Sequence, residues 1–259
     1  MNFLVKNRMP PGAKSLSIVL ILIIIFMLLA FISGLSVAST NNIKSKVIKI
    51  NHMTLNIDQI PDAALDAARS LRMNLSHASV GSNIKSGMKN LKVLGAKRYD
   101  YPNWDWHNRG NPGWQKKVDQ FKTFVAEKKN DYDIFHMKFC YIDNGAKWSY
   151  YRDAMLELEA NYPDKIFIWW TIPIKTTGNV DRDAFNKEVR NFCTANDKPL
   201  YDIAAIESHD PLGDSITDGR LEAMYSGYTD DGGHLNEKGR MRAAQGMWWL
   251  MARLAGWTP

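Results

Sequence analysis

The sequence predicts an α/β protein in which a parallel sheet is covered by helices on both faces. Two observations lead to this fold class. Short apolar segments alternate along the chain with longer segments whose apolar residues recur at helical spacing, as they do in βαβ units. One short segment, residues 166–172, is almost entirely apolar and is followed by Pro173. Such a run is typical of a strand that is buried on both faces.

The first elements of the domain alternate as helix, strand, helix and strand. A helix is expected over residues 61–71, because a proline followed by an acid favours a first helical turn. A strand at residues 73–77 then leads into a second helix that ends near residue 94. In the aromatic, glycine-rich and asparagine-rich loop that follows, a second strand is expected near residues 97–101.

A third helix is expected after this loop. Trp114, Val118, Phe121 and Val125 recur at helical spacing and form its apolar face. After this helix the pattern continues as strand, helix, strand, helix and strand. The strands are expected at residues 133–141, 166–172 and 200–204; one helix is expected near residues 150–160, and the other carries Phe185, Val189 and Phe192.

The last helix is expected from about residue 237 to residue 254. Its expected buried face comprises Met241, Ala244, Met247, Trp248 and Met251. Together the elements predict one domain, residues 59–259, with a parallel sheet of about five strands. The sequence shows no internal repeat and no low-complexity tract within it.

The N-terminal segment predicts export of the domain. Residues 15–38 contain no charged side chain, basic residues precede them, and Ser36-Val37-Ala38 resembles a small-x-small cleavage site. A membrane span needs about 20 apolar residues, and a secretory apolar core is usually shorter than this one. Residues 1–38 are therefore interpreted as a hydrophobic helix that is either an uncleaved anchor or a cleaved signal peptide, and we favour the anchor. The lysine-rich residues 39–58 are expected to be a linker with one short strand near residues 46–50.

Charge and cysteine usage exclude several classes of partner. The formal net charge is +6. Lys6, Arg8 and Lys14 precede the apolar segment and account for half of it, and the remainder is too small to indicate nucleic-acid binding. Cys140 and Cys193 fit no metal-ligand spacing. They are either one disulfide outside the cytosol or two buried thiols. No metal and no cofactor is expected.

A glycine-rich loop before the last helix combines an acid and a histidine. Asp231 and His234 are separated only by Gly232 and Gly233. A histidine that takes a proton from a hydroxyl needs a partner on its other ring nitrogen, which fixes the tautomer and stabilises the imidazolium. We expect the loop to supply such a base together with its orienting acid. The alternative is a polar turn with Asn236 as the N-cap of the helix.

Ser79 is the candidate nucleophile. It lies where a strand is expected to end and a helix to begin, between Ala78 and Gly81. The carboxyl ends of strands in open α/β sheets face the ligand crevice, and a helix N-terminus offers N–H groups to an anion. Taken alone, a serine at this place is more typical of a helix N-cap. The chain order Ser79, Asp231, His234 nevertheless favours a serine hydrolase.

Two segments resemble blocks of a known superfamily. Residues 77–83, His-Ala-Ser-Val-Gly-Ser-Asn, are similar to the first block of the SGNH (GDSL-like) hydrolases, and residues 231–236, Asp-Gly-Gly-His-Leu-Asn, are similar to the last. The resemblance covers about residues 60–259 in element order. It implies a flavodoxin-like three-layer α/β/α sandwich that catalyses ester hydrolysis or acyl transfer without a cofactor. It also implies that Ser79 is the nucleophile, with His234 as general base and Asp231 as its orienter.

The chain departs from the family at two places. The Gly-Asp-Ser of the first block is absent, and a Gly-Asp-Ser at residues 213–215 is interpreted as a chance tripeptide in a turn. The family's oxyanion hole combines the nucleophile's N–H group with a glycine, here expected to be Gly110, and an asparagine after the third strand. That asparagine is missing from residues 137–141. The alternatives for the missing donor are Asn83, Asn111 and Asn144.

These observations predict an exported serine esterase. Ser79 is expected to attack an ester carbonyl and His234 to take and return the proton, while the N–H groups of Ser79 and Gly110 hold the oxyanion. An O-acylated, most simply O-acetylated, carbohydrate outside the cell or in the cell wall is the expected substrate, because aromatic side chains stack on sugar rings. The aromatic residues expected in loops near the site are Tyr101, Trp104, Trp106, Trp114 and Trp148.

Three alternatives remain at this point. The five aromatic residues can instead pack in the core. The enzyme can instead be a lipid-directed esterase or acyltransferase at the membrane surface. A protein of another class, a catalytically idle carbohydrate-binding protein with the same fold, is the third alternative.

Overall fold

The computed structural model describes residues 48–259, in which a parallel sheet of six strands is the central layer. Every pair of neighbouring strands is parallel, and the spatial order is β1-β6-β5-β4-β2-β3. The strands are β1 (Lys49–Ile50), β2 (Met73–His77), β3 (Trp104–Asn108), β4 (Ile134–Met137), β5 (Ile166–Trp170) and β6 (Leu200–Tyr201).

Helices connect the strands, and a small hairpin precedes the last helix. The α-helices of the described residues are α1 (Asp62–Ser70), α2 (Val80–Leu94), α3 (Trp114–Lys128), α4 (Trp148–Asn161), α5 (Val180–Ala195), α6 (Ile203–Glu207) and α7 (Glu237–Leu254). The hairpin pairs β7 (Thr217–Asp218) with β8 (Leu221–Glu222) in antiparallel orientation.

Side chains from the two faces of the sheet form two separate hydrophobic cores. On β5, Ile168 and Trp170 pack with residues of α1, α2 and α7, whereas Phe167 and Trp169 pack with residues of α3, α4 and α5. This division follows from the period of two in a strand, which sends successive side chains to opposite faces. The three-layer α/β/α sandwich implied by the resemblance is therefore confirmed.

The strand order creates a crevice at the carboxyl edge of the sheet. From β2 the chain passes through α2 to β3 on one side, while β4 pairs with the other side of β2 and is followed by α4 on the opposite face. This is the flavodoxin-like order, extended by β1 at the edge next to β6. In such sheets ligands bind where the order reverses, which here is the gap between the ends of β2 and β4.

The middle of helix α2 packs very closely against the first turn of α7. A Cβ atom on Gly87 would lie 2.2 Å from the Arg240 carbonyl oxygen, so only glycine allows this approach. The side-chain Oδ1 of Asn83 in α2 also accepts the Leu235 N–H at 3.2 Å, just before α7. The packing therefore brings the segment that precedes α2 next to the loop that precedes α7.

Two predicted strands differ from the structure. Residues 96–99 form a 3-10 helix, and the strand lies further along, at Trp104–Asn108. The sequence Trp-Asp-Trp-His-Asn does not read as a buried strand, because β3 is an edge strand and exposes Asp105 and His107 on one face of the sheet. The predicted strand at residues 200–204 ends at Tyr201, because Asp202 caps α6 by accepting the Ala205 N–H at 3.2 Å.

Residues 48–58, which were expected to be part of a linker, pack as part of the domain. Strand β1 pairs with β6, and Leu55 and Ile57 are buried in the core, so residues 48–58 belong to the domain. The predicted signal peptide or anchor at residues 1–38 lies outside the described residues. Between residues 48 and 259, no helix combines the length and apolar character that a membrane span requires.

The two cysteines are free and buried, so the disulfide alternative is wrong. Cys193 lies in the core formed with α3, α4 and α5, where burial raises the pKa of its thiol to about 12. Cys140 follows β4, with its Sγ atom 3.9 Å from the Ala78 carbonyl oxygen. Both thiols therefore pack as small apolar side chains.

Candidate active site

Ser79 occupies a strained backbone position between β2 and α2. Its φ is +53° and its ψ is −115°, a conformation that costs a non-glycine residue about 1–3 kcal/mol. Its side chain makes no capping hydrogen bond to the helix. The Oγ atom lies instead 2.8 Å from Nε2 of His234. The turn is tight enough that a Cβ atom on Gly81 would lie 2.4 Å from the Cβ of His77.

His234 connects Ser79 to Asp231. Its Nδ1 lies 2.6 Å from Oδ2 of Asp231, while its Nε2 faces the serine. The other carboxylate oxygen, Oδ1, accepts the backbone N–H groups of Gly233 at 2.9 Å and of His234 at 2.7 Å. One oxygen of Asp231 therefore shapes the loop and the other binds the imidazole. The structure brings together the three residues that the sequence selected.

Hydrogen bonds lower the pKa of Asp231 well below the usual range for an aspartate. The largest contribution comes from the backbone N–H of His234, followed by its side chain and then by the N–H of Gly233. The carboxylate is half exposed, so water also solvates its charge. Asp231 is therefore ionised throughout the pH range in which a histidine titrates.

Neighbouring residues hold the histidine loop in place without contacting the imidazole. Asp230 accepts a hydrogen bond from the side-chain amide of Asn236 at 3.2 Å, and Asn236 caps α7 by accepting the Gly239 N–H. The Gly232 carbonyl accepts the Thr176 N–H at 3.1 Å. The capping role of Asn236 and the acid–histidine pair therefore coexist, and Asp231 rather than Asp230 is the acid on the ring.

The residues selected for the oxyanion hole are less well organised. Gly110 lies in the exposed loop after β3 with a φ of +75°, and its N–H donates to Oδ1 of Asn108 at 3.1 Å. Oδ1 of Asn83 accepts the Leu235 N–H, and Oδ1 of Asn144 accepts a hydrogen bond from Arg182. Asn111 is exposed in the same loop as Gly110. The assignment of Gly110 stays a prediction, as does the identity of the third donor.

Tyr141 contacts the imidazole and was missed by the sequence reasoning. Its hydroxyl oxygen lies 3.2 Å from Nδ1 of His234, and the two rings meet edge to face with centroids 5.0 Å apart. A Cβ atom on Gly233 would lie 2.7 Å from the tyrosine ring. Only its position in the sequence could have drawn attention to it. Tyr141 lies in the segment after β4, where the family has an asparagine that this chain lacks.

Buried basic groups lie beneath this edge of the sheet. Arg109 joins two strand ends, since its N–H donates to the His77 carbonyl at 3.1 Å and its Nη2 to the Lys138 carbonyl. Lys117 and Asp143 form an ion pair that is almost completely buried. Burial lowers the pKa of Lys138 to about 8, and burial followed by Lys138 and Arg109 lowers the pKa of His77 to about 3. His77 is therefore neutral and buried.

Of the five aromatic residues expected near the site, one is buried in the core and the other four are partly buried against it. Trp104 packs against Trp248 and donates its indole N–H to the Ala68 carbonyl, so the expectation that it lies in a loop is wrong. Trp106 is also in β3, against His77. Tyr101 and Trp148 are partly buried against the two cores. Trp114 is half-buried beside Tyr150.

The Gly-Asp-Ser tripeptide at residues 213–215 takes no part in this site. Ser215 is exposed and forms an isolated backbone bridge with His209. The side chain hydrogen-bonded to His234 Nε2 belongs to Ser79. In the part of the chain from residue 48 onward, no group of three or more His, Cys, Asp or Glu side chains could hold a metal ion.

Comparisons with known proteins agree with this fold. No protein-family model matches the chain, and a search of curated protein sequences finds no match. Among solved structures, the chain is similar to a candidate lipolytic protein of the G-D-S-L family from Desulfitobacterium hafniense, with a TM-score of 0.50 and 9% identity over 70% of this chain and 99% of that one. A GDSL-like lipase from Bacteroides thetaiotaomicron gives a TM-score of 0.46 and 11% identity over 68% and 85%. The chain has the fold of the SGNH (GDSL-like) hydrolases.

We predict that the Asp231 carboxyl does not titrate near pH 4, where an ordinary aspartate does. Its folded-state pKa is depressed, so the ionised form contributes stability that is present above about pH 4 and is lost as the pH falls through the lower folded value. A ¹³C NMR titration of the carboxyl carbon measures this directly. In His234→Ala, which keeps the backbone N–H groups, the titration should move part of the way towards the ordinary value. A wild-type midpoint near pH 4 would contradict the prediction.

Proposed function

We propose that the protein is a serine esterase that hydrolyses O-acyl esters. The observation that carries the proposal is the continuous series of hydrogen bonds from Ser79 through His234 to Asp231 at the carboxyl edge of the sheet. A nucleophile, a base in reach of it and an acid that orients the base are the parts that acyl transfer through a serine requires. The SGNH fold supports the same reaction class.

In the proposed reaction the Ser79 oxygen attacks the ester carbonyl while its proton passes to Nε2 of His234. Asp231 keeps the second proton on Nδ1 and stabilises the imidazolium. Collapse of the tetrahedral intermediate breaks the bond to the alcohol, which leaves with the proton from Nε2. Water then attacks the acyl-enzyme by the same route and releases the carboxylic acid.

The N–H groups of Ser79 and Gly110 are proposed to stabilise the oxyanion. The positive φ of Ser79 turns its backbone sharply between β2 and α2, close to a helix N-terminus whose dipole favours negative charge. Gly110 would have to exchange the hydrogen bond to Asn108 for one to the substrate oxygen. Such hydrogen bonds commonly become aligned only when the substrate binds.

We predict that Ser79→Ala and His234→Ala each lower kcat for p-nitrophenyl acetate by about 10⁴-fold or more, because members of such a triad act as a unit. The matched control is Ser215→Ala, which removes a hydroxyl from the Gly-Asp-Ser tripeptide and should leave the rate unchanged. A fluorophosphonate probe should label Ser79. An absence of both labelling and turnover in the wild type would favour the idle binding protein, and loss of activity only in Ser215→Ala would reject the assignment of the nucleophile.

We further propose that the acyl group is carried by a carbohydrate, most simply as an O-acetyl ester. A cleft of about 550 Å³ includes Asn108 and Arg109, which directly precede Gly110. Its lining also contains Lys116, Asp119, Gln120, Thr123 and Glu127. Amide, hydroxyl and charged groups of this kind suit the many hydroxyls of a sugar. Gln120 lines the cleft, and its side-chain oxygen is buried without a protein partner, so the amide would have to turn towards the cleft to accept a hydrogen bond from a ligand.

A lipid substrate taken from a membrane surface is less well supported. The exposed apolar residues Val93 and Leu94 lie beside Lys89 and Lys92 at the C-terminal end of α2. Ser79 precedes the first turn of the same helix, and fifteen residues at 1.5 Å each separate the two ends by about 22 Å. A membrane that contacted this end of α2 would be far from the nucleophile.

We predict that Gln120→Ala raises KM for an O-acetylated oligosaccharide about three- to tenfold, the effect expected from losing one hydrogen bond. The rate with p-nitrophenyl acetate, which is too small to fill the cleft, should not change. Gln115→Ala, an exposed change in the same helix, is the matched control. Equal KM values for the oligosaccharide in all three proteins, or faster hydrolysis of phospholipid vesicles than of the acetylated sugar, would reject the carbohydrate proposal.

We also propose that the domain acts outside the cytoplasm, on the strength of the uncharged apolar residues 15–38. Protease added to intact cells should then digest the domain. Mass spectrometry should find either a mature chain beginning at Ser39 or the full-length chain in the membrane fraction. Recovery of the full-length protein from the soluble cytosol would contradict export.

A further inference from the structure

We propose that Tyr141 is a positioning residue for His234. Its phenol oxygen and the carboxylate of Asp231 both accept a hydrogen bond from the Nδ1–H of the histidine. The proposal rests on the esterase function and adds a residue that the chain supplies from the segment after β4. Three observations support it: the hydrogen-bond geometry at Nδ1, the fixed backbone of Tyr141, and the fit between its ring and Gly233.

The direction of the hydrogen bonds follows from the position of one proton. Nε2 of His234 accepts the hydroxyl proton of Ser79, so in the neutral ring the single N–H is on Nδ1. Two oxygens face it, Oδ2 of Asp231 at 2.6 Å and the hydroxyl oxygen of Tyr141 at 3.2 Å. The carboxylate is the closer and stronger acceptor because it is charged. The phenol oxygen is the second acceptor of the same N–H.

The phenol remains protonated in this position. Burial, followed by the negative charge of Asp231 and then Cys140, raises the pKa of Tyr141 above its ordinary value. Its oxygen is therefore a neutral acceptor, which adds to the electrostatic support of the imidazolium without a second negative charge beside Asp231. The groups that face the ring are Ser79, Asp231 and Tyr141, with Cys140 next to the tyrosine in the chain.

Buried polar groups fix the backbone that carries Tyr141. Arg182 is almost fully buried and donates to the Tyr141 carbonyl at 2.6 Å. On the preceding residue, the Cys140 N–H donates to Oδ2 of Asp143 at 2.6 Å. Asp143 is itself held by the buried amine of Lys117. Hydrogen bonds therefore hold the backbone before and after the Cα atom of Tyr141, and this fixes the position from which its side chain extends.

The ring of Tyr141 also occupies the space that a larger residue in the histidine loop would need. A Cβ atom on Gly233 would lie 2.7 Å from the ring, well inside contact distance. Gly233 directly precedes His234, and the tyrosine ring meets the imidazole edge to face. Tyr141 therefore limits the rotation of the imidazole from one side, while Asp231 does so from the loop itself.

The test compares Tyr141→Phe, which keeps the ring and removes only the oxygen, with wild type. We expect kcat/KM for p-nitrophenyl acetate to fall about three- to tenfold with KM unchanged, the effect of one hydrogen bond. Removal of the second acceptor should also change the hydrogen bonding of the Nδ1–H, which the ¹H chemical shift of that proton reports. The matched control is Tyr132→Phe, which breaks a tyrosine–carboxylate hydrogen bond to Asp105 at 2.9 Å elsewhere on the surface.

The ¹H NMR signal of the His234 Nδ1–H distinguishes failure of this inference from failure of the esterase proposal. Its chemical shift should change in Tyr141→Phe relative to wild type and should stay the same in Tyr132→Phe, whether or not the protein hydrolyses esters. An unchanged signal in Tyr141→Phe overturns the positioning role, even if turnover falls. If wild type shows no Ser79-dependent turnover, the function fails and the NMR signal alone decides the role of Tyr141.

Discussion

The close contact between α2 and α7 determines the geometry of the site. Ser79 precedes α2 and His234 precedes α7, and the two residues are 155 positions apart in the chain. Gly87 lets the Arg240 carbonyl approach α2, and Asn83 binds the Leu235 N–H across the interface. Because both helices begin at the same edge of the sheet, their packing places the two preceding loops within hydrogen-bond distance of each other. The sheet therefore determines at which edge the two loops lie, and the packing of the two helices determines the distance between Ser79 and His234.

The sequence was sufficient for the fold class and for selecting Ser79, His234 and Asp231, which the structure brings together, because the alternation of elements and the two short motifs are local patterns. Helix α7 was predicted at residues 237–254 and is found there, since its apolar face and the cap at Asn236 are local signals. Strand β3 was placed too early, because an edge strand alternates polar and apolar residues within a loop-like composition. Trp104 was also assigned to a loop. Its burial depends on Trp248, which lies in a helix at the other end of the chain.

Tyr141 shows a different limit of sequence reasoning. The residues around Tyr141 show only that it follows β4, and they do not indicate that its ring lies against an imidazole more than 90 residues away. The contact exists because β4 lies next to β2, so that the residues after both strands share one crevice. Buried charge then fixes the segment: removing Lys117 would leave the carboxylate of Asp143 uncompensated in the interior, which typically costs about 3–5 kcal/mol. The Lys117–Asp143 ion pair therefore holds the segment after β4 that forms one side of the crevice.

The pairing of β1 with β6 has a consequence for how the chain folds. Strand β1 is the first strand of the described residues, and it pairs only with the last strand of the sheet, in the register of Lys49 with Leu200 and Ile50 with Tyr201. During synthesis from the N-terminus, about 150 more residues must therefore be made after β1 before β6 is available to pair with it. Contacts of such long sequence separation form slowly. The middle of the sheet, β2 to β5, can assemble earlier from neighbouring βαβ units. The pairing of β1 with β6 is thus expected to be the last step in forming the sheet.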